Sequence, residues 1–216
     1  MIIAIDGPAA AGKGTLARHL AVELRLAYLD TGLLYRAVGK KVLSLGVDLE
    51  DIARAESISK ALKPADLEID GLRADDVAQA ASKVSAIPGV RAALLEFQRS
   101  FAKSPLKGKK GSILDGRDIG TVVCPDAPVK LFVTASTEVR AQRRFKELQD
   151  RGSTVIYARV LEDMNERDAR DSSRSVAPLE QAEDAVKIDT SVMDAEAVFE
   201  TAMGIILAAA PEVNVF

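Results

Sequence analysis

A glycine-bounded loop near the start of the chain has the residue types and spacing that bind phosphate groups. Gly7 to Thr15 read GPAAAGKGT, which contains the pattern G-x-x-x-x-G-K between an apolar run and a helical pattern. Glycines let the backbone turn its N–H groups toward an anion, and Lys13 adds a full positive charge. The predicted ATP-binding residues are Gly7, Pro8, Ala9, Ala10, Ala11, Gly12, Lys13, Gly14 and Thr15.

The residue after Lys13 is a glycine, where the strict form of this motif has a serine or threonine whose hydroxyl binds Mg²⁺. Gly14 has no such group, and the hydroxyl comes one position later, at Thr15. Mg²⁺ gives up its water reluctantly. We therefore expect the ion to be held through water and the nucleotide phosphates, without a direct side-chain ligand, and Thr15 to contact a phosphate.

An apolar run that ends at Leu114 is followed by Asp115, Gly116, Arg117 and Asp118. The carboxyl ends of parallel strands form the ligand crevice of an open α/β sheet. Asp115 is therefore a candidate for a contact with Mg²⁺ through water, Arg117 for an anion and Asp118 for hydrogen bonds from a substrate. The alternative is a turn with an internal Asp–Arg pair.

A second predicted strand ends in Asp30, Thr31 and Gly32, and Arg36 follows about one helical turn later. If Asp30 acts as a base, the acceptor of a phosphoryl group is an alcohol. If Arg36 binds an anion, the acceptor is itself a phosphate. The residue types leave both readings open at this point.

The segment 140–174 contains eight arginines, and acidic residues at helical spacing offer salt bridges to part of them. Nothing singles out Arg140 or Arg144. Arginine suits planar, bidentate phosphate contacts. We predict that one face of this segment covers the moving phosphoryl group and excludes water. The residues of that face are Arg167, Arg170, Asp171 and Arg174.

The elements that must position these residues follow from the apolar pattern. Helical patterns occupy 33–45, 137–151 and 194–210. Short apolar runs alternate with them, which predicts an α/β fold of the P-loop nucleoside-triphosphate-hydrolase type, a five-stranded parallel sheet flanked by helices. The predicted strands are 2–6, 27–29, 112–115, 129–133 and 185–189.

The stretch from about 47 to 105 is too long for a simple crossover between two strands. Its patterns predict three helices and a short strand at 66–70. We therefore predict a core formed by 1–46 and 106–216, with a lid at about 150–166, and an inserted lobe at 47–105.

Composition and charge bound the class of protein. The 216 residues carry a net charge of −3, which gives no overall attraction to nucleic acid or to an anionic membrane. No apolar stretch is long enough for a membrane span, and no signal peptide is visible. Cys124 is alone, so no internal disulfide forms, as suits a reducing cytoplasm. We expect a cytoplasmic protein in which Cys124 is a packed residue and His19 is a surface or partly packed residue.

Longer motifs resemble those of the bacterial cytidylate kinase family. They run in order, cover nearly the whole chain and are more specific than the GKGT loop, which is typical of nucleoside monophosphate kinases. The family's P-loop core, monophosphate-binding insert and short lid agree with the layout predicted above. The matching segments are DTGLLYR at 30–36, AASKVSAIPGVR at 80–91, DGRDIGTVVCPDAPVKLF at 115–132 and ERDARDSSRSVAP at 166–178.

The resemblance implies transfer of the γ-phosphoryl group of ATP to CMP or dCMP, with Mg²⁺, by a monomer of pyrimidine nucleotide metabolism. It places Thr31, Arg36 and Arg117 at the acceptor phosphate. It places Ser82, Arg91 and Asp118 at the cytosine edge, with Arg174 close by, and Arg167 and Asp171 at the sugar. The implied catalytic residues are Lys13, Arg117, Arg167 and Arg174.

Two departures from the family pattern stand out. The insert between about 60 and 80 is shorter than in many bacterial members, so we expect its small sheet to be reduced. Thr31 stands where serine is common, which keeps the hydroxyl.

Two other functional classes remain open on the residues alone. One is a kinase for another monophosphate, or for an alcohol with Asp30 as the base. The other is a nucleotide-dependent switch without transferase activity. GTPase switches read guanine with an N-K-x-D motif, which this sequence lacks.

Overall fold

The computed structural model describes residues 1–104 and 107–211. The chain divides into two compact units. The sheet unit comprises Met1–Leu29 and Ala102–Phe216, and the helical unit comprises Asp30–Phe101.

A five-stranded parallel sheet organises the sheet unit, as the alternation of apolar runs and helical patterns predicted. Its spatial order is β2-β3-β1-β4-β5, so the first strand lies in the middle. The register places Ile5 beside Asp115 and Asp6 beside Gly116. The strands are β1 (Ile2–Asp6), β2 (Ala27–Asp30), β3 (Ser112–Gly116), β4 (Val129–Thr134) and β5 (Val186–Asp189).

Helices α1 (Lys13–Glu23) and α8 (Ala195–Ala209) contribute to the hydrophobic core of this unit. Ile5, Leu20 and Ile206 are fully buried members of that core. The apolar middle of β1 therefore packs in the same core as these two helices, and this packing holds the carboxyl end of the strand, where the phosphate loop begins.

Two further helices of the sheet unit, α6 (Thr137–Asp150) and α7 (Tyr157–Ser173), carry the arginine-rich segment. The predicted lid at about 150–166 thus spans the turn between them and the first part of α7. Directly after Asp118 the chain forms a short π-helix, Ile119–Val123, which the sequence patterns did not predict. Such π-helical turns occur often at functional sites.

The helical unit is built from α2 (Thr31–Ser44), α3 (Ile52–Lys60), α4 (Asp75–Val84) and the greater part of α5 (Pro88–Lys103). Its core is formed by buried aliphatic side chains from these helices, among them Val38, Ala55, Val84 and Val90. The helix predicted at 33–45 begins two residues earlier, at Thr31, so that Thr31 is a buried residue of its first turn.

The strand predicted at 66–70 is wrong. The chain forms a 3₁₀-helix at Pro64–Leu67 instead, and after Asp30, the last residue of β2, no strand is assigned in the helical unit, all of whose residues are described. The Asp66 carboxylate accepts a hydrogen bond from the backbone N–H of Lys63, which closes a local turn. Ile69 is exposed, so the apolar residues whose alternation suggested a strand do not form a buried face.

Candidate functional site

The phosphate loop depends on two glycines with positive φ. Gly7 has φ +143°, and a Cβ built on it would lie 1.9 Å from the carbonyl oxygen of Val133. Gly12 has φ +97° and precedes the first turn of α1. A side chain is excluded by contact at Gly7 and disfavoured by the backbone at Gly12. The loop therefore presents its N–H groups and the N-terminus of α1 toward a common point.

Lys13 is the first residue of α1 and is buried. Its Nζ donates a hydrogen bond to the carbonyl oxygen of Pro8 at 2.7 Å, across the loop. Burial lowers the pKa of Lys13 to about 7, and the positive charges of Arg117 and Arg167 act in the same direction. The carboxylates of Asp115 and Asp6 act in the opposite direction but do not outweigh these effects. A bound phosphate would add negative charge and favour the charged form of Lys13.

Asp171 lies at the centre of the arginine cluster. Its carboxylate accepts a hydrogen bond from Arg117 Nε at 2.9 Å and lies 3.2 Å from Arg174 Nη2. Burial acts to raise the pKa of Asp171, but the charges of Arg117, Arg167 and Arg174 outweigh it and hold that pKa below the usual range. The sequence motifs from 115–118 and 166–178 thus meet in one cluster.

The charge balance of this cluster favours an anion. The positive charges of Arg117 and Arg167 act on Lys13, and the negative charge of Asp171 neutralises part of the charge of the two arginines. The turn with an internal Asp–Arg pair, considered above as the alternative for 115–118, is not what forms, because Arg117 pairs with the carboxylate of Asp171 on α7.

Asp115 and Asp118 are both buried at the end of β3 and just after it. Tyr28 Oη donates a hydrogen bond to Asp115 Oδ2 at 3.0 Å. Within the described residues, no three His, Cys, Asp or Glu side chains are grouped so that they could hold a metal ion. Asp115 is the carboxylate that lies beside Gly14 of the phosphate loop.

Asp6 was missed in the analysis of the sequence, although it ends β1 directly before Gly7. Its two carboxylate oxygens accept hydrogen bonds from the backbone N–H groups of Ile119 and Gly120, at 2.8 and 2.7 Å. Burial raises the pKa of Asp6 to about 6, although both N–H donors act in the opposite direction. Asp6 thereby ties the start of the phosphate loop to the segment that follows Asp118.

A cavity of about 330 Å³ borders the phosphate loop at Gly12 and Thr15. Arg143 and Thr190 line its other side. Arg143 Nη1 donates to Thr190 Oγ1 at 2.9 Å, and Thr190 Oγ1 donates to the carbonyl oxygen of Ala11 at 3.0 Å. The sequence analysis assigned no role to either residue. A sequence signal for Thr190 was available, since Thr190 directly follows the aspartate that ends β5. Thr31 follows the aspartate that ends β2 in the same way.

The same cavity includes His19, whose ring stacks on Phe199 with centroids 3.8 Å apart. His19 is an exposed residue with one stacked neighbour, and Cys124 is buried, as expected for both.

Arg140, for which the sequence patterns indicate no role, is a buried residue that joins several segments of the sheet unit. Its guanidinium binds both carboxylate oxygens of Asp168 on α7, at 3.1 and 2.6 Å, and Nε donates to the carbonyl oxygen of Ala135. Nη1 also lies 3.4 Å from the carbonyl oxygen of Ala9 in the phosphate loop. Arg140 thus connects α6, α7 and the loop.

The helical unit holds the remaining predicted acceptor residues, of which Thr31, Ser82 and Arg91 are buried. Arg91 Nη1 donates to the carbonyl oxygen of Ser85 at 3.1 Å, and its guanidinium lies over the ring of Tyr35, 5.4 Å from the centroid. Arg36 Nη1 donates to the carbonyl oxygen of Leu72 at 3.0 Å. These polar side chains are oriented by the helix packing of their own unit.

Asp30, the candidate base of the alcohol-kinase alternative, forms an ion pair with Arg73, whose Nη2 lies 3.0 Å from Asp30 Oδ2. The Arg73 guanidinium thus occupies an oxygen of the carboxylate that an alcohol acceptor would have to reach. The geometry therefore favours the reading in which the acceptor is a phosphate.

Comparison with known proteins agrees with these observations. The family model described as Cytidylate kinase matches residues 3–207. The chain is 64% identical over 205 residues to a cytidylate kinase of Paramagnetospirillum magneticum, covering 95% of this chain and 97% of the relative. It is 59% identical over 206 residues to the cytidylate kinase of Rhodospirillum rubrum, again covering 95% and 97%.

Solved structures give a more distant likeness. An uncharacterized protein from Eubacterium ventriosum matches with a TM-score of 0.52 and 16% identity, covering 98% of each chain. A sugar kinase from Janibacter matches with a TM-score of 0.50 and 18% identity, covering 100% of this chain and 98% of the other. At these identities the likeness supports the fold alone. None of the helices among the described residues has the length and apolar character to cross a membrane.

Proposed function

The chain belongs to the cytidylate kinase family, and we propose which of its residues carry the transfer of the γ-phosphoryl group from ATP to CMP or dCMP. The observation that carries the proposal is the cluster at the end of the phosphate loop. There Arg117 and Arg167 act electrostatically on Lys13, and together with Arg174 they act on the carboxylate of Asp171. Such a concentration of cations suits a site where several phosphate oxygens meet.

The donor nucleotide lies along the phosphate loop in this proposal. Backbone N–H groups of residues 7–15 and Nζ of Lys13 hold the phosphates of ATP. The cavity beside Gly12 and Thr15 takes the base and sugar, with Arg143 and Thr190 as its polar wall. Lys13 would exchange its bond to the carbonyl oxygen of Pro8 for phosphate oxygens.

The transfer needs no protein base. An oxygen of the acceptor phosphate forms a bond to the γ-phosphorus, while the bond from that phosphorus to the β–γ bridging oxygen breaks and ADP leaves. A phosphomonoester has a second pKa of about 6, so the attacking oxygen is ionised near neutral pH. Lys13, Arg117, Arg167 and Arg174 stabilise the charge on the moving group. In related reactions one well-placed arginine is worth roughly 10³–10⁵ in rate.

We assign the proposed contacts to CMP residue by residue, from the resemblance to the family. From the helical unit, Thr31 and Arg36 contact the acceptor phosphate, while Ser82 and Arg91 contact the cytosine. Carboxylate, hydroxyl and guanidinium groups together can satisfy the amino donor and ring acceptors of cytosine and leave uracil mispaired. From the sheet unit, the proposed contacts are Arg117 to the phosphate, Asp118 and Arg174 to the base, and Arg167 and Asp171 to the sugar.

Mg²⁺ accompanies ATP in this proposal. The residues present fit an ion held mainly by phosphates and water, because Gly14 offers no hydroxyl and Asp115 is the carboxylate beside the loop. When bound, the ion neutralises phosphate charge and helps to align the donor. We further propose that the chain acts as a monomer in the cytoplasm, which gel filtration and cell fractionation test.

A panel of acceptors tests the proposed specificity. The purified protein with ATP and Mg²⁺ is offered CMP, dCMP, UMP, AMP, GMP and a simple alcohol such as glycerol, and products are separated by chromatography. CMP and dCMP are expected to give the highest kcat/KM. A preference for UMP, for a purine nucleotide or for the alcohol would contradict the proposal. Binding of ATP without turnover of any acceptor would support the switch alternative.

A further inference from the structure

The space beside Gly14 is already filled by another polar group of the chain. A Cβ built on Gly14 would lie 3.3 Å from Asp115 Oδ2 and 3.6 Å from Tyr28 Oη. Contacts of 3.3 Å are tighter than most that real Cβ atoms make, so a serine or threonine here would require the Asp115 carboxylate to move. The hydroxyl of the strict motif and the carboxylate of Asp115 therefore compete for one place, and this chain has the carboxylate there.

Tyr28 fixes that carboxylate from the neighbouring strand. Tyr28 lies on β2, which is hydrogen-bonded to β3 in the sheet, and its half-buried ring packs against the hydrophobic core of the sheet unit. Its hydroxyl donates to Asp115 Oδ2 at 3.0 Å. A donor on a packed ring restricts rotation of the carboxylate, as hydrogen bonds from the surroundings commonly do for groups that face a metal.

We propose that Tyr28 is a positioning residue that holds the Asp115 carboxylate beside Gly14, where it faces the water shell of the nucleotide-bound divalent ion. This inference rests on the proposed function, since the ion arrives with ATP. It assigns to Tyr28 a role that the phosphate-loop motif does not include. Tyr28 touches neither substrate, and it acts only through Asp115.

A purely structural tie between β2 and β3 is the competing explanation of the same hydrogen bond. Removing the Tyr28 hydroxyl would then lower the stability of the fold and leave the affinity for the ion unchanged. Metal affinity therefore separates the two explanations, whereas activity alone does not.

The test uses Mn²⁺ as the probe and a non-hydrolysable ATP analogue at saturation. Electron paramagnetic resonance measures free Mn²⁺, and so the Kd of the ion for the complex of full-length protein and analogue. Tyr28→Phe is expected to raise this Kd about tenfold, in line with the loss of hydrogen bonds behind metal-facing groups. The Kd of the analogue measured in EDTA is expected to stay at its unsubstituted value, because Tyr28 does not contact the nucleotide.

Tyr157→Phe is the matched control, since it removes the same atom from a tyrosine whose hydroxyl is 3.5 Å from the carbonyl oxygen of Glu138. It should leave the Mn²⁺ affinity unchanged. A double-mutant cycle supplies the sharper criterion. Asp115→Asn should weaken Mn²⁺ binding at least as much as Tyr28→Phe, and adding Tyr28→Phe to it should cause no further change.

The outcomes distinguish this inference from the proposed function. If Asp115→Asn leaves Mn²⁺ affinity unchanged, Asp115 does not face the ion, and the metal part of the proposed function fails together with the inference. If Asp115→Asn weakens Mn²⁺ binding but Tyr28→Phe does not, only the positioning role is overturned. An equal effect of Tyr28→Phe with and without Asp115→Asn also overturns it, because Tyr28 would then act independently of Asp115.

Discussion

The two compact units hold their ligand-binding candidates by different means. In the sheet unit, Asp6 and Asp115 stand at the ends of central strands, and Lys13 opens the helix that follows a glycine-bounded loop. In the helical unit, Ser82 and Arg91 are buried side chains of separate helices, and Arg91 is oriented by a carbonyl oxygen and an aromatic ring. Backbone geometry builds the first site, and helix packing builds the second.

This difference explains why residue spacing predicts the first site and does not predict the second. A loop whose shape depends on positive φ and on a helix N-terminus must keep its residues at fixed spacing, so the spacing alone predicts it. Side chains gathered by packed helices have no fixed spacing. Ser82 and Arg91 were named only because the segment around them resembles a known family.

Loss of the loop's charge should have the largest effect on catalysis. Lys13→Ala is expected to lower kcat by at least about a thousandfold, because a buried cation at the developing charge is removed. Steady-state kinetics with CMP measure it. Lys146→Ala, at an exposed lysine of α6, is the control and should retain full activity. Normal turnover by Lys13→Ala would remove Lys13 from the catalytic residues.

A change in the loop's backbone should have the next largest effect. Gly7→Ala places a methyl group against the carbonyl oxygen of Val133 in a backbone conformation that alanine avoids. The free energy of unfolding in urea is expected to fall by about 3 kcal/mol or more. Gly204→Ala is the matched control in α8, where a Cβ meets no atom within 4 Å. It should raise stability by about 0.5–1 kcal/mol. A Gly7→Ala protein as stable as the unsubstituted one would contradict a loop fixed by its backbone.

A substitution in the helical unit should change the affinity for the acceptor nucleotide and the selectivity for its base. Ser82→Ala is expected to raise KM for CMP about tenfold with little change in KM for ATP, and to narrow the preference for CMP over UMP, because one hydrogen-bonding group to the base is lost. Ser100→Ala, an exposed serine of the same unit, is the control. An increase confined to KM for ATP would mean that Ser82 does not belong to the acceptor site.

The smallest expected effect is a dependence of ATP affinity on pH. The pKa of Lys13 is about 7 in the free protein, so its charged fraction falls as pH rises above 7. Phosphate binding raises that pKa again. ATP affinity should therefore weaken severalfold between pH 7 and 8.5, with proton uptake on binding, measured by calorimetry in buffers of different ionisation enthalpy.

Lys13→Arg keeps its charge throughout this range and is the control, in which the pH dependence should disappear. Proton release on ATP binding would contradict the assignment. The lowered pKa of Lys13 also affects the free energy of unfolding. Between pH 7 and 10.5 the unfolded chain binds a proton that the folded protein has released, so the contribution of Lys13 to the free energy of unfolding rises with pH.

Most of the sheet unit could be predicted from the sequence because parallel strands that are buried on both faces leave uninterrupted apolar runs. The five predicted strands and the cluster formed by Arg117, Asp171 and Arg174 follow from such runs and from helical spacing. Asp6 and Arg143 were missed because their roles depend on contacts with residues far along the chain. One of these contacts joins Asp6 to the backbone of Gly120, and no local pattern encodes it.

Less of the helical unit than of the sheet unit could be predicted from the sequence. The strand predicted at 66–70 rested on two apolar residues in alternation, and the Asp66 turn and the exposure of Ile69 decided against it. In a segment without a buried face, local hydrogen bonds prevail over a weak periodicity.

Separate calorimetric titrations with a non-hydrolysable ATP analogue plus Mg²⁺ and with CMP test the central claim most directly. We predict that the unsubstituted protein binds both ligands. Lys13→Ala should bind the analogue far more weakly and keep its affinity for CMP, whereas Ser82→Ala should bind CMP about tenfold more weakly and keep its affinity for the analogue. Failure of the unsubstituted protein to bind either ligand, or equal loss of both ligands in each variant, would contradict the assignment of the donor to the phosphate loop and of the acceptor base to the helical unit.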